Sequence, residues 1–310
     1  MLDIYEMQIF LAAAETGSFS EAGRRLQMSQ PAVSMQIRSL EKRLDVQLFH
    51  RSGRHIRLTE SGQALIPMAR DLVNRSIHIQ ETLASMQGEV IGELKLGCST
   101  TAGKYTLPRI IASFLEDYPE VQVSCMVVSR GSAIKLLLEN EAHVAITSCR
   151  EQSKELEYRQ FMLDPVVLIV PPTHRWAQRD NIHFDELPEA RYIKRELRSG
   201  TQQTIVEALA NHGLTLDDLP TVMTLGSSEA IAIAVAEGIG VAFVSRRAAE
   251  DSINLGRVIE VPVIDLEMAQ QLYMIRRANN VMTAAASAFW DFVYQPDNRY
   301  LLGQLEPEKI

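Results

Sequence analysis

Phe19-Ser20-Glu21-Ala22-Gly23-Arg24-Arg25-Leu26-Gln27-Met28-Ser29-Gln30-Pro31-Ala32-Val33-Ser34-Met35-Gln36-Ile37-Arg38-Ser39-Leu40-Glu41-Lys42-Arg43-Leu44 is the stretch from which the rest of the chain is read. It holds two helices separated by a tight turn. Ser20 is the expected N-cap of the first, with Glu21 favourable in its opening turn, and the helix runs to Leu26. Gly23 costs about 1 kcal/mol against alanine there, which makes sense if another helix must approach closely. Gln27-Met28 turns the chain, and Ser29 caps a second helix over about 30–44, with Pro31 tolerated in its first turn. Val33, Ile37, Leu40 and Leu44 form its buried stripe. The other face presents Gln30, Ser34, Met35 and Arg38, with Lys42 further along. Gln and Arg carry the forked groups that read base edges in a major groove, and Ser reaches a base or a phosphate.

Outward from this pair, Ile4, Met7, Ile9, Phe10, Leu11 and Ala14 mark a preceding amphipathic helix. Phe49-His50-Arg51-Ser52-Gly53-Arg54-His55-Ile56-Arg57-Leu58 follows, with Ser-Gly at its tip and three arginines, as a two-stranded wing would need to reach phosphates or a minor groove. The DNA-facing candidates are therefore Ser20, Ser29, Gln30, Pro31, Ser34, Met35, Arg38 and Lys42 on the helices. Arg51, Arg54, His55 and Arg57 are those of the hairpin. A three-helix bundle with a solvated basic face is the competing reading.

The same residues carry a resemblance. Phe19-Ser20, Ala22-Gly23, Leu26, Met28 through Ser34, Gln36-Ile37, Leu40-Glu41 and Leu44, then Leu48-Phe49, Arg51, Leu58-Thr59-Glu60 and Gly62, resemble the LysR-type transcriptional regulators. The likeness is strong over about 60 residues and continues afterwards in layout more than in motif. Met35 departs from it, standing where a polar residue is common.

Thr59 caps a long helix expected to reach about Gln87, with Pro67 as an internal breaker. Leu65, Leu72, Ile79 and Met86 recur every seventh residue, and Met68, Ala69, Val73 and Leu83 widen the stripe. Such a stripe fits a dimerising coiled coil, although an isolated amphipathic helix gives a similar pattern. Dimerisation is the expectation, because helix-turn-helix modules gain useful specificity from two half-sites. Gly88 and Gly92 end the helix and begin a hinge.

From residue 93 strands and helices alternate, which predicts mostly parallel α/β layers. A break is expected at about 150–160, with a second lobe opening at Val166–Val170. The strand at Leu272–Arg276 returns to the first lobe, and a helix closes it at Thr283–Tyr294. The tail after Pro296 shows no periodic apolar signal and is expected to be mobile. Ligands of open sheets bind beyond the carboxyl ends of strands, where helix N-termini offer free N–H groups. Ser99, Thr100, Thr101, Ser129, Thr147, Arg198, Thr201, Ser227 and Ser228 stand at such points. They are the effector-binding candidates for a small anion, carboxylate or phosphate, held between two lobes. The resemblance implies the same: LysR-type effector domains have two lobes similar to periplasmic binding proteins. Arg195-Glu196, Ser199-Gly200-Thr201 and Leu225 through Ile231 look like the branch regulating carbon-fixation and sulfur genes.

The predicted architecture is a winged helix-turn-helix over 1–58 and a linker helix over 59–88. Effector lobe I takes 92–163 and 268–296, and lobe II takes 164–267. Charge divides at the same place. The 310 residues carry 31 Lys+Arg and 39 Asp+Glu, a net of −8. Residues 1–58 hold eight basic and six acidic groups, leaving a net of −10 on the body. No apolar run spans a membrane, and the acidic start does not fit a secretory leader, so a cytoplasmic protein is expected. The three cysteines, Cys98, Cys125 and Cys149, make neither a disulfide framework nor a zinc cluster. Cys98 and Cys149 lie near neighbouring strand ends, where small core thiols are commoner than redox sensors. No nucleophile elbow, metal spacing or dinucleotide fingerprint appears, so neither enzyme nor cofactor is expected. The expected protein is a metabolite-controlled regulator of promoter DNA, dimeric with a tetramer open, and with RNA polymerase as a candidate further partner. A cytosolic small-molecule-binding module with little DNA-binding role is the alternative.

Overall fold

Three helices and a hairpin build the N-terminal module: α1 (Ile4–Thr16), α2 (Phe19–Arg25), α3 (Gln30–Leu44), β1 (Phe49–Ser52) and β2 (His55–Leu58). The structure is a computed structural model describing residues 2–52, 55–85, 89–151, 153–197, 199–278 and 282–302. Asp3 caps α1 by accepting from Tyr5 N at 3.0 Å, and Gly17 ends it in the left-handed region. The cap of α2 is Ser18, whose hydroxyl accepts from Glu21 N. Ser20 lies inside the helix and faces solvent, a correction to the sequence expectation. Both serines satisfy the capping rule, and only the extended backbone at Ser18 decides between them. Ser29 caps α3 as expected, accepting from Ala32 N at 3.3 Å.

Val33, Ile37 and Leu40 are fully buried under α1, and Phe10 and Phe19 each pack 5.6 Å from the Phe49 ring. Each such aliphatic side chain contributes about 2 kcal/mol of burial. At Gly23 the close neighbour is the turn and not another helix: a Cβ there would lie 2.6 Å from the Met28 carbonyl. Glu41 ties α3 to the wing, its carboxylate accepting from Leu48 N at 2.9 Å and Phe49 N at 3.3 Å.

α4 (Glu60–Ser85) continues through Pro67, and Thr59 Oγ1 accepts from Gly62 N at its start. Its stripe divides by function. Ala69 and Val73 are buried against the N-terminal module, whereas Met68, Ile79 and Leu83 are 67%, 61% and 58% exposed. Met86 lies outside the described residues. Arg70 ties α4 to the body through Glu141 Oε1 at 2.6 Å.

The body comprises β3 (Gly92–Cys98), α5 (Leu107–Asp117), β4 (Val121–Val127), α6 (Arg130–Leu138), β5 (Val144–Thr147) and β6 (Leu156–Val170). It continues with β7 (Ile182–His183), β8 (Tyr192–Arg195), α7 (Gly200–Asn211), β9 (Thr221–Leu225), α8 (Ser228–Ala236), β10 (Ala242–Ser245) and α9 (Arg246–Asn254). Last come β11 (Ile259–Val261), β12 (Val263–Ile264), β13 (Ala269–Arg277) and α10 (Ala284–Phe292). β3 pairs in parallel with β4 and β5, while β13, β6 and β10 join antiparallel in the order β10-β6-β13-β5-β3-β4. Lobe I packs Phe114, Phe289 and Trp290 beneath this sheet, and lobe II packs Trp176, Tyr192 and Phe243.

The expected break lies inside lobe I, between β5, ending at Thr147, and β6, starting at Leu156, and not between the lobes. β6 runs for 15 residues from one into the other, with Pro165 opposite Ala269 on β13. The tail also differs from expectation, since Leu301 and Leu302 are 5% and 4% exposed in the lobe I core. Among the described residues, no helix is long and apolar enough to cross a membrane, and no group of three or more ligating side chains could hold a metal ion.

Candidate functional site

On α3 the 3.6-residue repeat turns Val33, Ile37 and Leu40 inward and therefore Gln30, Pro31, Met35, Arg38 and Lys42 outward. Met35 is 65% exposed, and Ser34 is half-buried at the edge of this face. On β2, Arg57 is exposed. The side chains of Arg51 and His55, and the whole of Arg54, lie outside the described residues. Three other basic groups of the module are neutralised: Arg24 by Glu21, Arg25 by Glu15 and Arg43 by Glu6. Arg38, Lys42 and Arg57 carry no ion pair among the described residues. Positive charge is thus cancelled away from the outward face of α3 and left uncancelled on it. A protruding helix bearing Gln, Ser and Arg fits the major groove of a duplex.

The second site is a small cleft of ≈ 90 Å³ between the lobes. Ser99, Thr100 and Thr101 follow β3, and Ser129 follows β4. From lobe II come Ser199, Gly200 and Thr201, which begin α7. Helical turns start at all three places, so N–H groups without intrahelical acceptors converge on the space between them. Ser129 is occupied as the cap of α6, accepting from Ser132 N at 3.3 Å. The buried hydroxyls of Ser99 and Ser148 and the Gln270 amide oxygen have no partner among the described residues. Such groups call for one.

Among the described residues, two arginines face the cleft. Arg130 is half-buried. Arg195 is 8% exposed and fixed by Glu196, with Nε and Nη2 donating at 3.0 and 3.1 Å, and by the Ser228 hydroxyl. The lobes already touch. Lys104 Nζ donates to Glu229 Oε1 at 2.7 Å, and a Cβ on Gly200 would collide with Gln270 Nε2 and Ser148 Oγ.

Of the nine sequence candidates, Ser99, Thr100, Thr101, Ser129 and Thr201 line this cleft together. The remaining described ones do not line it. Thr147 is fully buried beneath it, donating to Arg130 O and accepting from Cys149 N. Ser227 caps α8, and Ser228 is spent on Arg195. Both are structural, which is what an N-cap hydroxyl ordinarily is. Arg198 lies outside the described residues. Arg130, Ser148, Arg195 and Gln270 line the cleft without being candidates. Arg130 and Arg195 each stand at a strand-to-helix turn already marked by hydroxyls, which was the available signal. Gln270 opens β13, about a hundred residues from its neighbours, and gives no local one.

Comparison with known proteins matches both domains of the chain. Residues 87–295 match the model of the LysR substrate binding domain, and residues 4–63 match that of the bacterial regulatory helix-turn-helix protein, lysR family. An uncharacterized HTH-type transcriptional regulator of Methanocaldococcus jannaschii is 33% identical over 92% of this chain and 96% of its own. A RuBisCO operon transcriptional regulator of Allochromatium vinosum is 30% identical over 94% of this chain and 95% of its own. Among solved structures, the Synechocystis CcmR regulatory domain in complex with 2-PG is similar at TM-score 0.60 and 25% identity, covering 70% of this chain and 99% of that one.

Proposed function

The chain belongs to the LysR family of helix-turn-helix transcriptional regulators, and from that premise we propose how its two sites divide the work. α3 enters the major groove, where Gln30, Ser34 and Arg38 read bases. Lys42 and Arg57, with Arg51 and Arg54 of the hairpin, contact phosphates. The observation that carries this reading is the selective cancellation of charge: Arg24, Arg25 and Arg43 are paired with carboxylates, whereas Arg38, Lys42 and Arg57 have no ion pair among the described residues. The acidic body repels the duplex, which confines contact to the module.

The interlobe cleft takes a small anionic metabolite. Helix N-termini, unpartnered hydroxyls and two arginines favour a carboxylate or phosphate. The CcmR domain's ligand, 2-PG, is the first probe to use. The protein acts without catalysis, in the cytoplasm. Met68, Ile79 and Leu83 on α4 make the contact between two copies, which place two modules on successive half-sites. The dimers pair into a tetramer, and RNA polymerase is the partner of the DNA-bound form.

A mobility-shift series on promoter DNA tests the reading face. Arg38→Ala is expected to lose about 1–3 kcal/mol on the preferred site and to relax the choice of base. Arg57→Ala is expected to weaken all sequences evenly and to reduce the salt slope by about one. Unchanged affinity and selectivity for Arg38→Ala would remove α3 from the groove.

A further inference from the structure

β3 and β4 each carry a thiol beside the cleft. Cys98 ends β3 and is fully buried, whereas Cys125 lies on the edge strand β4 and is exposed. Leu96 is the register partner of Cys125 and Val127 that of Cys98, so the two cysteines are diagonal neighbours on one face of the sheet. Their sulfur atoms are 3.2 Å apart, and Cys98 Sγ leans along the strand to within 3.5 Å of the Met126 carbonyl. The sequence places Cys98 and Cys149 near neighbouring strand ends, and β3 does pair with β5, but the thiol in contact with Cys98 is Cys125 of β4.

What rests on this pair is the cleft. Ser99-Thr100-Thr101 follows Cys98 directly, and the next turn, Ala102–Thr106, is a π-turn inserted before α5. Irregular turns of this kind favour functional positions. A Cβ on Gly103 would lie 2.6 Å from Cys98 Sγ and 2.7 Å from Val127 Cγ2, so this turn sits on the thiol with nothing between.

We propose that Cys98 and Cys125 form a reversible disulfide, a modification site whose closure retunes the adjoining cleft. The oxidant is a hydroperoxide. The Cys125 thiolate attacks the O–O bond of hydrogen peroxide, giving a sulfenic acid while the departing hydroxide takes up a proton as water. Cys98 sulfur then attacks the sulfenic sulfur, and hydroxide leaves with the Cys98 proton as a second water. Two thiols and one peroxide thus give one disulfide and two waters, and a dithiol reverses the bond. Accessibility and proton distribution agree on the order of events. The hydrogen bond shared with Cys98 holds the Cys125 thiol below its ordinary value, and the same bond, with burial, raises that of Cys98. Closure brings the sulfurs from 3.2 Å to about 2.05 Å. The end of β3 moves with Cys98, and Ser99 and the π-turn move with it. Formation of the bond is independent of the effector reading; its effect on ligand affinity rests on that reading.

The test uses the full chain, reduced and then titrated with hydrogen peroxide, alkylated and digested without reductant. Free thiols are expected to fall from three to one, the survivor being Cys149, with a Cys98–Cys125 cross-linked peptide that is absent from Cys98→Ser and Cys125→Ser. A cross-link to Cys149, or Cys125 carried on to sulfinic acid beside a free Cys98, overturns the proposal. Titration with 2-PG is expected to differ at least about fivefold between reduced and oxidised protein. In Cys125→Ser it should not change with peroxide. An unchanged affinity in oxidised wild type overturns the coupling. If reduced protein binds no 2-PG, the effector reading fails separately. Hydrogen exchange over residues 99–106 then decides the coupling, and identical protection in the two redox forms overturns it.

Discussion

The reading helix and the interlobe cleft use the same residue types in opposite ways. On α3, Gln30, Met35 and Arg38 stand in water, and the side chains that hold the helix in place are the buried ones opposite. In the cleft, Arg195, Ser99 and Thr201 are themselves buried, and Arg195 is already clamped by Glu196 and Ser228. The first arrangement leaves the polar groups solvated until a duplex arrives. The second has removed their water in advance, so each unsatisfied group there raises the affinity for whatever satisfies it. Stability therefore resides in packing at one site and is partly withheld at the other.

Asp164 tests that contrast most severely. It is fully buried on β6 where the lobes join, with Ser245 Oγ donating at 2.8 Å to one oxygen and the other without a partner among the described residues. Burial pushes its carboxyl up to about 6, against the Ser245 bond and the Arg247 charge, which pull it down. Since the folded value is raised, the folded state holds the proton more tightly than the unfolded chain. Stability is lost as pH rises from about 4 through about 6. The loss is about 3 kcal/mol. Urea unfolding of wild type and Asp164→Asn is expected to diverge by that amount across the interval, with the variant the more stable above it. Parallel curves would mean that the hinge does not carry a buried charge.

Gly23→Ala probes the packed side. Its Cβ would meet a backbone carbonyl, which cannot swing away, so about 2 kcal/mol of stability is expected to go, visible as a lower melting temperature. The helix propensity gained, about 1 kcal/mol, offsets only part of the strain. Gly200→Ala is the matching change in the cleft. There the colliding atoms are the ends of the Gln270 and Ser148 side chains, which can rotate. Melting is expected to stay within about 0.5 kcal/mol of wild type. Affinity for 2-PG, in contrast, should fall about tenfold as the methyl takes ligand space and displaces two polar contacts, roughly 1.4 kcal/mol. Equal stability losses at the two glycines would erase the distinction between the sites.

The contrast also explains what could be seen in the sequence. α3 was legible because its buried and exposed residues alternate within a single element, so period alone separates Val33 from Ser34. The wing was legible in outline, and the cap of α2 was displaced by two residues because two serines compete for it. The cleft is assembled from turns separated by up to about 170 residues, and local chemistry marked most of these turns without showing which converge. Thr147 and Ser99 look alike in sequence; register buries one hydroxyl on a carbonyl and leaves the other without a partner. Pro165 lies inside β6, which accommodates it opposite Ala269, at the end of its pairing with β13. The pairing of Cys98 with Cys125 depends on β4 lying beside β3, which no spacing in the chain records.

Lobe II begins and ends at adjoining points. The chain leaves lobe I along β6 and returns along β13, and Pro165 and Ala269 are direct partners, so the two passages lie about one strand spacing apart, roughly 4.8 Å. Everything between them is an insertion with neighbouring ends, the geometry that tolerates replacement by a homologous segment. Exchange at these two positions would carry Arg195, Gly200 and Thr201 away together. Ser99, Thr100, Thr101 and Arg130 would stay, and so would the Arg70 attachment to the DNA-reading arm. Effector preference is in this sense heritable in two halves, and recombination between relatives could reassort one half without disturbing the half that reports to DNA.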